Sequence, residues 1–312
     1  ENIGYRRGGC GLSRRFLLTG LGGRADGAVV YFYHGIQELR AAAEQRLWEE
    51  LEDLTGAIRK YKREETPMTE QEMKARIERS RELIDWSREE YQSDQTLKKP
   101  QPPLVKAPMT ENTMELPKNF GDLPMDKSFL RILHDRRSNR VFTGGFMDLL
   151  TLSFLLWAQQ GIRGIRGNNY ATLRTVPSAG SRHPFECYPL ILNVEGLEPG
   201  LYHYLPMEHR LEFLKAADIK DEAFADRVVQ SVSRQKWVLK SSVIFYYSIV
   251  PYRGEWRYAF NAPRVMMIDA GHVTENLYLA CSALDLGTCA IAAMDSPAAS
   301  EMFGLDLSLI HI

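Results

Sequence analysis

The chain has 312 residues, 44% of them hydrophobic and 25% charged, and a net charge of −1. That is length for one large domain plus an appendage, in an ordinary soluble balance. It excludes a nucleic-acid binder driven by bulk positive charge, and no apolar run is long enough to span a bilayer.

The four cysteines, Cys10, Cys187, Cys281 and Cys289, show no CxxC spacing. They read as reduced, mostly buried thiols of a cytoplasmic protein rather than a disulfide framework. Residues 1–34 give no clear pattern beyond a short strand-like run, Val29–Tyr33. Ser13-Arg14-Arg15-Phe16-Leu17-Leu18 has the outline of a twin-arginine export signal, but Arg24 and Asp26 interrupt the apolar region such a signal needs.

Residues 35–97 read as a helical arm. Leu39, Ala43, Leu47, Leu51, Leu54, Ile58 and Tyr61 recur at intervals of three and four, one apolar stripe on an amphipathic helix. Thr69 with Glu72 forms a capping-box pattern ahead of a second helix carrying Met73, Ile77, Ile84 and Tyr91 on one side. The pair predicts a helical hairpin that either packs on its own core or serves as a docking or dimerisation arm. Residues 98–124 read as a linker: Pro100, Pro102, Pro103, Pro108, Pro117 and Pro124 oppose regular structure and favour an extended surface path.

The core is predicted over residues 125–306. Phe129–Asp135 should be helical and deliver Arg136-Arg137-Ser138-Asn139-Arg140, three guanidinium groups and a hydroxyl within five residues. Asp148–Gln160 is a second helix closed by Gly161. Arg174–Tyr188 then reads as a loop, because Pro177, Gly180 and Pro184 break any helix and Ser178-Ala179-Gly180 leave backbone open to a flat ligand. Tyr188–Val194 is a strand, and residues 200–204 and 211–214 form a hairpin. Asp221–Ser233 is a helix, Ser242–Val250 an apolar strand, and Val265–Leu284 a helix apolar on most sides. Ala290–Ala293 is predicted as a short buried strand and Pro297–Phe303 as a last helical turn or two.

The blocks RRSNR, LLWAQQG, LRTVPSAGSRHPFE, VEGLEPGLYHY, DAGHVTENLYLA and MFGLD, in this order and spacing, resemble the nitroreductase superfamily. More closely they resemble its SagB/ThcOx branch, the azoline-oxidising dehydrogenases of peptide natural-product pathways. The resemblance covers about residues 100–306. It implies an α+β nitroreductase-like fold, a central, mainly antiparallel sheet wrapped by helices, here with an N-terminal helical hairpin extension. It also implies a homodimer holding FMN at its interface.

Carried onto this chain, the resemblance assigns Arg136, Ser138 and Arg140 to the flavin phosphate and ribityl group. Charge-assisted donors in a planar fork suit a phosphate dianion, and alternate residues of an extended segment face one side. It assigns Pro177, Ser178, Ala179 and Gly180 to the isoalloxazine ring, often that of the partner subunit. Ala292 and Ala293 take the positions whose backbone amides face the reactive part of the ring.

Trp256-Arg257-Tyr258 stands where the azoline oxidases carry a Trp-basic-Tyr segment whose Lys-Tyr pair assists proton removal, which marks Arg257 and Tyr258 as catalytic residues. Arg257 departs from that pattern, since an arginine does not take a proton at neutral pH. Asp269, His272 and Glu275 recur at threes and read as a polar stripe on a core helix, with no fourth ligand for a metal. His272 is expected to bond a backbone carbonyl or orient a neighbour, and His183 is a further substrate-side candidate.

The expected reaction is two-electron oxidation of a heterocycle such as a peptide azoline. The alternatives are an NAD(P)H-dependent nitro or quinone reductase and a non-catalytic flavin- or peptide-binding module of a biosynthetic complex. Residues 307–312 depart from the family pattern, which continues into another strand and a Gly-Arg phosphate contact; they are expected to be a non-native tail, with weaker flavin binding as the consequence.

Overall fold

The structure is a computed structural model that describes residues 68–82 and 91–305. The predicted helix over residues 39–61, the positions of Ile84 and Cys10, and the tail 307–312 lie outside them. The chain divides into two units, Glu1–Lys74 and Ala75–Ile312. Helix α1 (Glu70–Glu82) carries the predicted capping box: Thr69 N–H donates to Glu72 Oε2 at 2.8 Å, and Glu72 N–H donates to Thr69 Oγ1 at 3.2 Å. Its side chains through Arg81 are exposed, Met73 and Ile77 among them.

The larger unit is built on a five-stranded sheet. Its strands are β1 (Thr113–Glu115), β4 (Phe185–Ile191), β5 (Gly200–Leu205), β6 (Arg210–Ala216) and β7 (Val243–Ile249), in the order β1-β6-β5-β4-β7. Every neighbouring pair is antiparallel. A separate antiparallel hairpin joins β2 (Ile162–Arg166) to β3 (Ala171–Arg174). The helices are α2 (Phe129–Asp135), α3 (Leu149–Gln160), α4 (Glu222–Ser231), α5 (Pro251–Tyr258), α6 (Ala262–Ala283) and α7 (Ser296–Phe303).

All residues of β4 and β5 are buried, which follows from near-continuous apolar runs and cover on both faces. Successive side chains of β4 alternate between two cores. Phe185, Cys187 and Ile191 pack with Leu152 and Leu156 of α3 and Met266 and Val273 of α6. Tyr188 and Leu190 pack with Phe224 and Val228 of α4 and Ala299 and Phe303 of α7.

Two sequence expectations need correction. The segment around Ala290–Ala293 is not a strand. Its short alanines bury little, and an isolated bridge between Ser138 and Thr288 is the pairing it gains, so Ala292 and Ala293 stay exposed. The helix α6 is apolar on most sides but is buried in this chain along one stripe, Met266, Asp269, Val273, Leu277 and Ala280, while the apolar Met267 and Ile268 remain 59% and 52% exposed.

The proline-rich stretch, second, is fastened to the core. Its β1 pairs with β6 and Leu116 is buried. Prolines remove donors and leave carbonyls, and buried donors take them: Trp256 Nε1 to Lys99 O at 3.1 Å, Arg253 Nε to Pro103 O at 2.9 Å and Arg174 Nη2 to Leu104 O at 3.2 Å. Lys106 N–H donates to Glu186 Oε1 at 3.0 Å, and Thr110 N–H donates to Glu212 Oε1.

Behind this strap lies a buried ionic chain. Arg253 Nη2 meets Glu186 at 2.6 Å, His203 Nε2 meets Glu186 at 3.2 Å, and His203 Nδ1 meets Glu212 at 3.0 Å. Burial alone would discharge His203, but the two carboxylates outweigh it and raise its pKa. Burial likewise works against the Glu186 carboxylate, yet Arg253 and His203 hold it down at about 2.

Candidate functional site

Arg136 caps α2, and the chain beyond it runs extended along residues 287–290. Asn139 N–H donates to Thr288 O at 2.8 Å, and the Ser138–Thr288 bridge adds a parallel contact. Gly287 permits the approach: a Cβ there would stand 2.4 Å from Asn139 Nδ2.

Tyr278 of α6 gathers this region. Its hydroxyl lies 2.9 Å from Ser138 Oγ and accepts Ala290 N–H at 2.8 Å, and the Arg136 guanidinium stands 5.4 Å from its ring centroid. Arg137 and Arg140 are exposed. The N–H groups of Ala292 and Ala293 make no hydrogen bond among the described residues. Beside them opens a cavity of about 520 Å³ lined by Asn139, Phe142, Trp237, Phe245, Tyr278 and Ala292, among others.

The 177–180 loop sits elsewhere on α6. Asp269, buried in the helix, accepts Ser178 Oγ–H at 2.6 Å and Ala179 N–H at 3.0 Å. Desolvation outweighs these two donors and raises the Asp269 pKa. Asp269 therefore serves as the loop's anchor within the polar stripe that the sequence suggested. His272 Nδ1 lies 4.0 Å from Asp269 and makes no hydrogen bond among the described residues. His183 is buried, and desolvation with the charge of Arg174 pushes its pKa down to about 2, so the ring is neutral and faces away from solvent.

Arg257 and Tyr258 end α5 and meet the same loop. Gly180 has φ +56°, and a Cβ on it would lie 2.7 Å from Arg257 Cδ, Arg257 Nε and Tyr258 Oη. Gly180→Ala is therefore expected to cost about 1–3 kcal/mol, from left-handed backbone and overpacking together. Thermal unfolding checks this, and a melting curve matching wild type would show that the two side chains yield freely. Arg257 Nη1 donates to Tyr170 Oη at 2.7 Å rather than to Tyr258, and Arg182 stands 4.8 Å from the Tyr170 ring centroid.

The predicted residues thus fall into two groups. Arg136 and Ser138 converge on Tyr278, with Ala292 lining the adjoining cavity and Arg140 at the exposed end of the same segment. Pro177–Gly180 join Arg257 and Tyr258. Tyr278 follows Asp269 by nine residues on α6, about two and a half turns and about 14 Å of rise, so the two groups occupy opposite faces of one helix. Sequence reasoning missed Tyr278, Asp269 and Tyr170 as members of these groups. A phenol in a conserved-looking spacing is not a signal one sequence can supply; the Asp269 position in the three-residue polar stripe was the one available clue.

An antiparallel sheet between two helical layers, with a cationic segment crossing the end of a long helix, defines an α+β protein of nitroreductase-like architecture. The model of the nitroreductase family matches residues 133–312, and the chain belongs to that family, whose members are typically FMN-dependent oxidoreductases. It is 30% identical over 162 residues to MJ1384 of Methanocaldococcus jannaschii, a protein bearing a nitroreductase name; the match covers 52% of this chain and 77% of that one. It is 34% identical over 128 residues to the trifolitoxin-processing protein TfxB of Rhizobium leguminosarum bv. trifolii, covering 38% of this chain and 33% of TfxB. Among solved structures, a nitroreductase-named protein of Ralstonia eutropha JMP134 superposes with a TM-score of 0.49 at 23% identity, over 68% of this chain and 90% of that one. No helix among the described residues is long and apolar enough to cross a membrane.

Proposed function

We propose that the chain is a SagB/ThcOx-type oxidoreductase that binds FMN and removes two electrons from a heterocycle such as a peptide azoline. The observation that carries this reading is the meeting of Arg257 and Tyr258 with Gly180, which joins the Trp-basic-Tyr segment to the loop expected against the flavin. The likeness to TfxB, a processing protein by name, supports it.

The donor set fits FMN. Arg136 and Ser138, with Arg140 on the same segment, offer a phosphate dianion charge-assisted donors. Ala292, whose N–H is open, lines a largely apolar cavity suited to a flat ring, Ala293 follows it in the chain, and N–H donors there favour a ring that gains negative charge. When bound, FMN supplies the two-electron chemistry. The protein holds the ligand's anionic end, excludes water along the cavity and sets the 177–180 backbone through Asp269. Because the two groups lie on opposite faces of α6, a homodimer in which the 177–180 loop of one protomer completes the flavin site of its partner is the assembly we favour. The exposed Met267 and Ile268 suit such an interface.

Arg257 in place of the family's Lys favours a second reading, NAD(P)H-dependent reduction of a small nitro or quinone acceptor, in which no protein base has to take a substrate proton. The purified protein is expected to show a flavin spectrum and release FMN on denaturation. It should convert a thiazoline-containing peptide to a product lighter by two hydrogens. Flavin-loaded protein that leaves the peptide intact but consumes NAD(P)H with a nitroaromatic would establish the second reading, and protein that stays colourless with added FMN would overturn both.

A further inference from the structure

We propose that Tyr170, at the turn of the β2–β3 hairpin, is the proton acceptor of this site, held in place by Arg257 and Gln95. Its hydroxyl oxygen accepts two hydrogen bonds, from Arg257 Nη1 at 2.7 Å and from Gln95 Nε2 at 2.9 Å. Donors on both lone pairs stabilise phenolate over phenol, and one of them is a full cation. Arg182 adds a second: its guanidinium stands 4.8 Å from the Tyr170 ring centroid, while Nη2 donates to Tyr170 O at 2.8 Å and Nε to Gly180 O at 3.0 Å.

These bonds tie Tyr170 to the backbone of the 177–180 loop, so the phenol belongs to the same cluster as Gly180, Arg257 and Tyr258. Arg182 and Arg257 are the charged groups that face it, with Tyr258 as the neighbouring titratable group. Burial of the ring works against ionisation. The Gln95 hydrogen bond and the charges of Arg257 and Arg182 outweigh it, and the phenol titrates below its ordinary range.

Tyr258, by contrast, makes no hydrogen bond among the described residues. Arg257 thus acts as a positioning cation, which removes the difficulty that an arginine cannot itself accept a proton. Resting on the proposed oxidation, the step is a proton transfer. A substrate C–H bond breaks, its proton passes to Tyr170 Oη to give the neutral phenol, and the electron pair stays with the heterocycle for the two-electron oxidation.

The test is an alkaline titration of the purified protein followed by phenolate absorbance, comparing wild type with Tyr170→Phe, Arg257→Gln and Arg257→Lys. Wild type minus Tyr170→Phe should show one tyrosine ionising before the rest. Arg257→Gln should move that tyrosine upward, and Arg257→Lys should keep it close to wild type. With a thiazoline peptide, Tyr170→Phe should lose about 100- to 10 000-fold in turnover and the acid limb of the pH profile while retaining bound FMN.

A Tyr170 that ionises with the bulk tyrosines, or is unmoved in Arg257→Gln, overturns the proposal; so does a Tyr170→Phe enzyme with the wild-type pH profile. Arg257→Gln keeps the phenol in place, so the result does not depend on Tyr170→Phe folding. Wild-type protein that leaves the peptide unoxidised would defeat the proposed function, while the titration would still decide whether Tyr170 is the ionising phenol.

Discussion

Arg253→Ala is expected to lower folding stability by about 3–5 kcal/mol, because it strands the Glu186 carboxylate in the core without its closest cation. For a domain of this size that is a fall in melting temperature of about 6–20 °C. The loss has two parts: the ion pair itself, and the Arg253 bonds to Pro103 O and His183 O that fix the proline-rich strap and the loop before β4. Arg253→Lys should recover little, since one ammonium cannot reproduce a fork that reaches a carboxylate and two carbonyls.

The pH dependence follows from the same chain of charges. The depressed Glu186 pKa contributes stability that is present above its ordinary 4.5 and is lost as pH falls toward about 2. The raised His203 pKa contributes stability that is fully present below its ordinary 6.5 and is lost as pH rises through its folded value. The network is therefore most stabilising between those two ordinary values, and denaturant melts across pH should show wild type and Arg253→Ala separating most in that window. Melting curves for Arg253→Ala that overlay wild type there would show the pair to be energetically idle.

Arg136→Ala is expected to weaken FMN binding by about 10- to 150-fold, the cost of about 1.5–3 kcal/mol for removing a hydrogen bond to a charged group. Arg136 is half-buried against Tyr278, so its guanidinium is already oriented before ligand arrives and little side-chain freedom is lost on binding. Arg137→Ala, one position along on an extended segment, should change affinity far less. Titration of the protein into FMN, read by quenching of flavin fluorescence, separates the two. Equal losses in both variants would mean that the segment acts as a diffuse positive surface and not through directed donors.

Much of the scaffold was legible because it is encoded locally. The helix Phe129–Asp135, the capping of α3 by Asp148 and the hairpin of β5 and β6 follow from periodicity, caps and turn residues a few positions apart. The β2–β3 hairpin escaped notice because its strands carry Arg163, Gly164 and Arg166 in place of an alternating apolar pattern, although Gly167-Asn168-Asn169 marks its turn.

Ala290–Ala293 misled in the opposite direction, an apolar run with no strand to pair with. What local patterns could not carry were the contacts across long separations. Asp269 holds a loop about 90 positions earlier in the chain, and Arg257 chooses Tyr170 over its own neighbour Tyr258. The proline-rich stretch looked like a tether because composition reports its missing donors and not the buried arginines that claim its carbonyls.

The placement of both groups on α6 has a mechanical consequence. The helix is 22 residues long, about 33 Å, and carries the Asp269 anchor on one face and the Tyr278 bridge on the other. Sliding this rod along its axis carries both attachments the same way, whereas rotating it about that axis sweeps them in opposite directions. A twist of α6 that carries the 177–180 backbone one way across the helix would therefore carry Ser138 and Ala290 the other way.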